Sequence, residues 1–305
     1  MIGKILVTGS EGLLGRAVRV LMPQAVCIAR QDGDLRDSIV VKQLFEKHRP
    51  RAVLHLAAKV GGVKANAEHN ADFFTENVLV NTHVLHAARE AGVKRVISLL
   101  SSCAYQTTPE RDSTEADLHE GLPHEGNLGY GMSKRMLEIQ SRLISKQYGC
   151  EFSTLTPVTL FGPQDHFDPE TGHVVAALIY KCFAAKQTGK PLVVWGSGLA
   201  VRQFVYVKDV ARLLCDWIQS GPYQDSVIMA ADGGMTIREL ALQIANASGF
   251  KGEIIFDASG PEGQRVRRLT REKFQSLFPA FQFTSFKTAL QETVDWYAAT
   301  IRKGV

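Results

Sequence analysis

The chain has no run of about 18 apolar residues, so nothing in it reads as a membrane span. It opens without a signal peptide: Lys4-Ile-Leu-Val-Thr8 is short and runs straight into glycines. Its five cysteines, Cys27, Cys103, Cys150, Cys182 and Cys215, are odd in number, scattered, and never spaced Cys-x-x-Cys. That excludes a disulfide framework and gives no zinc-binding pattern, and it fits a reducing, cytoplasmic compartment. Charge of one sign is also scarce. A net charge of +4 over 305 residues is too mild for nucleic acid and suits an anionic small molecule. There is no internal repeat and no low-complexity linker. What remains is ordinary globular composition, 45% hydrophobic and 22% charged, in one large or two modest domains.

Short apolar runs at 4–7, 25–29, 52–56, 96–100 and 152–157 read as buried strands, with helical patterns between them. That alternation predicts an α/β fold built on a Rossmann-type, doubly wound parallel sheet. The first run leads into Gly9-Ser-Glu-Gly12-Leu-Leu-Gly15, followed by helical spacing. Strand, glycine turn and helix in that order is a dinucleotide-binding context, although Gly-x-x-Gly-x-x-Gly departs from the usual fingerprint. Gly9, Ser10, Gly12, Leu13, Leu14 and Gly15 are therefore candidate cofactor contacts. The end of the second run lacks the acidic residue that NAD sites place there; Arg30 stands in its place and suits the 2′-phosphate of NADP. Glu11 opposes that assignment unless it swings into solvent. Asp34 and Leu35 are adenine-side candidates, and Asp34 is equally an N-cap for the next helix. Ala57 and Ala58 end the third run, where small residues let a ligand approach.

Tyr130-Gly-Met-Ser-Lys134 puts a phenol and an ammonium on one helix face. A neighbouring cation is expected to lower the phenol's pKa and make it a proton-exchanging group near neutral pH. The same helix carries two apolar stripes, Met132, Met136, Ile139 and Leu143 on one and Leu137 and Ile144 on the other. One packed side needs only one stripe, so the second predicts a homodimer. Asn77 and Asn81 lie on an apolar helix and are expected to fasten buried backbone groups. The expected division is 1–160 as the nucleotide-binding domain and 161–305 mainly as a substrate lobe, with parts of 190–235 returning to the first domain.

The glycine turn, Ser101 at a strand end and Tyr130-x-x-x-Lys134 together resemble the extended short-chain dehydrogenase/reductases, over nearly the whole chain. Within them, the chain is similar to the GDP-L-fucose synthase family. The residues carrying that likeness are His55-Leu-Ala-Ala-Lys-Val-Gly-Gly62, Ser101-Ser-Cys103, Gly172-His173-Val174, Val194-Trp-Gly-Ser-Gly198, Arg202-Gln-Phe204 and Phe281-Gln-Phe-Thr. The resemblance implies NADP(H) as cofactor and a GDP-linked 4-keto-6-deoxy sugar as substrate, epimerised at C3 and C5 and reduced at C4. It implies Ser101 and Tyr130 on the C4 oxygen and Lys134 on the nicotinamide ribose. Cys103 and His173 become the acid/base pair. Lys181, Arg202 and Arg267 fall on the diphosphate, and Trp195 near the sugar or nucleotide. Thr159, Gln164, His166 and Gln106 depart from the family's usual residues. A deoxyheptose or colitose-type sugar, or a 4-epimerase or 4,6-dehydratase, is the competing reading.

Overall fold

The computed structural model describes residues 3–106, 111–231, 233–260 and 264–302. The first half alternates strictly. Strand β1 (Ile5–Thr8) is followed by α1 (Leu13–Leu21), β2 (Val26–Ile28), α2 (Ser38–His48) and β3 (Ala52–His55). Then come α3 (Val63–Glu68), α4 (Asn70–Glu90), β4 (Arg95–Leu99), α5 (Leu128–Tyr148) and β5 (Glu151–Pro157). The second half is more broken. It runs β6 (Thr159–Phe161), α6 (Val174–Thr188), β7 (Leu192–Trp195), β8 (Val201–Arg202), β9 (Phe204–Tyr206), α7 (Val207–Ser220) and β10 (Ser226–Met229). It closes with β11 (Met235–Thr236), α8 (Ile237–Ser248), β12 (Ile254–Asp257), β13 (Val266–Arg267), α9 (Glu272–Leu277) and α10 (Phe286–Arg302).

Six strands form one all-parallel sheet in the order β10-β5-β4-β3-β1-β2. Strands buried on both faces need no polar alternation, which is why β1 and β3 read as continuous apolar runs. The chain winds outward from β1 in both directions, so the order reverses between β1 and β3. A crevice opens at such a switch point, beyond the carboxyl ends of the strands. The glycine turn, Ala57 and Ala58, and Ser101 all follow strands that end there. The remaining strands form small sheets beside this crevice, β11-β8-β13, β12-β7 and β6-β9.

Buried polar groups lock the crevice floor. Thr8 Oγ1 lies 2.8 Å from His55 Nδ1 and accepts from the N–H groups of Leu56 and Ala57. Burial pushes His55 down to about 4, with Lys134 adding to the effect, so its ring stays neutral. Asn77 fastens backbone as expected: it accepts from the Lys59 N–H and donates to the carbonyls of Lys59 and Phe73. Asn81 meets the His55 ring instead, at 3.0 Å. The polar stretch before α5 is held by Arg135, which is buried and donates to the carbonyls of Ala104, Glu120 and Gly121.

On α5, Leu137 and Ile144 are buried while Met136, Ile139 and Leu143 are exposed. Asp34 does not cap a helix. The cap of α2 is Asp37, whose carboxylate accepts from the N–H groups of Ile39 and Val40. Among the described residues, no helix is long and apolar enough to cross a membrane.

Candidate active site

Two cavities meet at the carboxyl edge of the sheet. The larger, about 760 Å³, is lined by Gly9, Gly12, Leu13, Leu14 and Gly15, then Arg30, Asp34 and Leu35, then Ala57, Ala58 and Lys134. Gly9 has φ +70° and a Cβ there would fall 2.6 Å from the Ala57 amide nitrogen, so only glycine lets the turn fold onto β3. The turn leaves its outer surface open at the N-terminus of α1, where helix N–H groups lack intrahelical partners and an anion is favoured. This cradle fits a dinucleotide pyrophosphate. Ser10 is not part of its lining. It is 1% exposed, and its N–H donates to the Ile28 carbonyl beneath the turn.

The Glu11 and Arg30 conflict resolves locally. Glu11 pairs with Arg19 and lies 3.9 Å from Arg16, so its charge is met on its own side of the turn. Asp34 is engaged by Arg36, whose hydrogen bonds hold its carboxyl down at about 2. Arg36 also reaches Glu76, which in turn binds Lys59. Sequence reasoning passed over Arg36, although it lines the cavity two residues from Asp34.

The smaller cavity, about 290 Å³, brings together Lys181, Trp195, Arg202 and Arg267 from the second half of the chain. The Lys181 ammonium sits 3.6 Å from the Trp195 ring centroid, a cation–π contact. Asn66 also faces this cavity. It is 3% exposed and donates to the Gly61 and Gly62 carbonyls, and its Oδ1 has no partner among the described residues. No motif marked it in the sequence. Of the four unusual residues, Thr159 lines both cavities; Gln106, Gln164 and His166 line neither. Gln106 instead packs against Gly121.

The cavities share a wall made of Ser101, Cys103, Tyr130, Thr159, His173 and Arg267. Ser101 follows β4, and its Oγ accepts from the Cys103 N–H at 3.2 Å. Gly131 lets α5 come this close, since a Cβ there would lie 2.7 Å from the Cys103 carbonyl oxygen. Lys134 is 2% exposed, donates to the Leu99 carbonyl at 2.8 Å and lies 5.7 Å from the Tyr130 ring centroid. Burial holds Lys134 down at about 8.

Tyr130 moves opposite to the expectation. Its phenol is pushed up, first by burial and then by Cys103, with the Ser101 hydrogen bond opposing. Desolvation disfavours the charged phenolate and outweighs the Ser101 hydrogen bond, so the protonated phenol is favoured.

His173 precedes α6, and its Nδ1 stands 3.5 Å from Asp165 Oδ1, an ion-pair distance without an aligned hydrogen bond. The Asp165 carboxylate raises the His173 pKa against burial and against the Arg267 charge. In the same wall, Arg267 Nη1 lies 3.0 Å from Cys103 Sγ.

A model of the NAD dependent epimerase/dehydratase family matches residues 5–228. The probable GDP-L-fucose synthase of Drosophila melanogaster is 33% identical, covering 96% of this chain and 97% of the fly protein. The GDP-L-fucose synthase of Escherichia coli K12 is 31% identical, covering 96% of each chain. The crystal structure of a GDP-L-fucose synthetase from Naegleria fowleri bound to NADP superposes with a TM-score of 0.90 at 38% identity, over 99% of this chain and 95% of that one. With that sheet order and that wall of Ser101, Tyr130 and Lys134 behind it, the chain belongs to the NAD dependent epimerase/dehydratase family, in its GDP-L-fucose synthase group.

Proposed function

We propose that this protein is an NADPH-dependent epimerase and reductase that converts GDP-4-keto-6-deoxy-D-mannose to GDP-L-fucose. The observation that carries the reading is the shared wall. Proton-transfer groups for a sugar ring and a protonated phenol stand between a dinucleotide cradle and a second, cation-lined cavity. A 4-keto group makes the hydrogens at C3 and C5 acidic, so a base on one face and an acid on the other suffice to invert each centre. Cys103 takes the ring proton, and His173, whose pKa the Asp165 carboxylate raises, returns one from the opposite face. Bound NADPH supplies the hydride to C4. Ser101 and Tyr130 hold the C4 oxygen, and Tyr130 gives it the proton that its burial has preserved. Lys134 is anchored on the Leu99 carbonyl, with its remaining donors free to hold the ribose hydroxyls.

Lys181, Trp195 and Arg202 receive the GDP moiety, the arginine by its planar fork. The 1–160 and 161–305 division follows this chemistry, with cofactor on the first part and sugar nucleotide mainly on the second. The exposed Met136, Ile139 and Leu143 stripe supports a homodimer through α5. Five free cysteines suit a reducing, cytoplasmic setting. The test is incubation with NADPH and GDP-4-keto-6-deoxymannose while following absorbance of the reduced cofactor. Substrate-dependent oxidation is expected. No oxidation with this sugar, but oxidation with a deoxyheptose counterpart, would move the protein to that neighbouring activity.

A further inference from the structure

We propose that Arg267 is the positioning residue of Cys103 and serves the epimerisation, not the diphosphate. The proposal rests on the epimerase/reductase reading above and deepens it. Strand β13 lies parallel to β8 with Arg267 opposite Arg202, so register alone would give the two arginines one task. Their surroundings separate them. Lys181, Trp195 and Arg202 line only the smaller cavity, whereas Arg267 also borders the cofactor cleft, at the wall that Cys103 occupies. Its Nη1 donates to the Cys103 sulfur at 3.0 Å across 164 residues of chain. Arg202 turns its own Nη1 to the Val201 carbonyl.

A guanidinium has five donors and no acceptor, so it meets the sulfur through a lone pair and selects one staggered position of the Cys103 side chain. The backbone of Cys103 is already fixed by its N–H bond to Ser101 Oγ. Between them, these two contacts set where the sulfur stands relative to the carbonyl that Ser101 holds. The proton-accepting form of cysteine is the thiolate, and a permanent cation is the partner that form calls for. Arg267 from β13 and Tyr130 from α5 act on the sulfur, and His173, ahead of α6, lines the same two cavities. The Arg267 charge works against the imidazolium of His173, and Asp165 offsets it. The geometry thus gives the sulfur a cationic neighbour, Arg267, and the imidazole an acidic one, Asp165.

The experiment compares Arg267→Met and Arg267→Lys with the unaltered full-length chain. Deuterium incorporation at C3 and C5 of GDP-4-keto-6-deoxymannose is read by mass spectrometry in deuterated water, and GDP affinity by calorimetry. Arg267→Met is expected to slow exchange roughly 10- to 100-fold, as for a displaced reacting group, while GDP affinity stays close to that of the unaltered chain. Arg267→Lys keeps a charge without the fork and is expected to recover part of the exchange. An unchanged far-UV circular dichroism spectrum and thermal unfolding midpoint show that each variant is folded. Exchange at the unaltered rate in Arg267→Met, or a loss of GDP affinity as large as the loss of exchange, overturns the proposal and returns Arg267 to the diphosphate. Absence of exchange in the unaltered chain would instead remove the epimerase reading itself.

Discussion

The two sides of the shared wall are built differently. The proposed reducing side is Ser101, Tyr130 and Lys134, drawn from the end of β4 and one face of α5. Its lysine is 2% exposed and anchored on the Leu99 carbonyl that belongs to the sheet itself. The proposed epimerising side is Cys103, His173, Asp165 and Arg267, drawn from stretches up to 164 residues apart. Its histidine side chain is 41% exposed, and its anchors are an ion pair and a guanidinium contact. A helix face of the sheet scaffold makes a rigid site for a hydride acceptor. Inverting two carbons from opposite faces needs groups from opposite walls, which a single helix or strand cannot offer.

A large effect is expected on the cofactor side. Arg30→Ala should raise the NADPH Michaelis constant by roughly 10- to 100-fold, the scale of a hydrogen bond to a charged group, and leave the NADH constant nearly unchanged. Equal changes in both would mean that Arg30 does not meet the 2′-phosphate, and steady-state kinetics with each cofactor decides. On the epimerising side, Asp165→Asn removes the carboxylate that raises the His173 pKa. The protonated imidazole is then lost at lower pH. The alkaline limb of C3 and C5 exchange should shift downward, while hydride transfer to an already inverted sugar keeps its profile. A parallel shift of both limbs would erase the distinction between the two sides. The smallest effect on chemistry is expected outside both. Leu143→Glu, on the exposed stripe of α5, should convert the proposed dimer to a monomer by light scattering with little change in turnover per site. A chain already monomeric at micromolar concentration contradicts the dimer.

What could be read in the sequence follows the same division. The glycine turn, the strand ends and Tyr130-x-x-x-Lys134 are local: neighbours in the chain become neighbours in space, and periodicity reports them. The sulfur-to-guanidinium contact of Cys103 and Arg267 is not local, and the pairing of β13 with β8 that creates it leaves no periodic trace in two-residue strands. Resemblance points to Arg267 and to Cys103 separately, and not to the contact between them. Spacing also gave Tyr130 the wrong direction of pKa change, because spacing shows the nearby ammonium and is silent on burial. Asp34 looked like a cap because acidic residues before helices usually are. Asp37, one residue ahead of α2, holds that place instead. Asn66 carries no motif, and only its burial with an unpartnered oxygen beside the cavity distinguishes it.

The separability of the two sides is tested most directly by product mass in deuterated water for two variants. In Cys103→Ser, deuterium exchange at C3 and C5 should be lost, and any reduced product should carry the original configuration at both carbons. In Tyr130→Phe, exchange should persist while NADPH oxidation falls by roughly 100-fold or more, since the C4 oxygen loses its proton donor. Exchange at the unaltered rate in Cys103→Ser, or joint loss of both activities in Tyr130→Phe, would contradict a wall with two independently working faces.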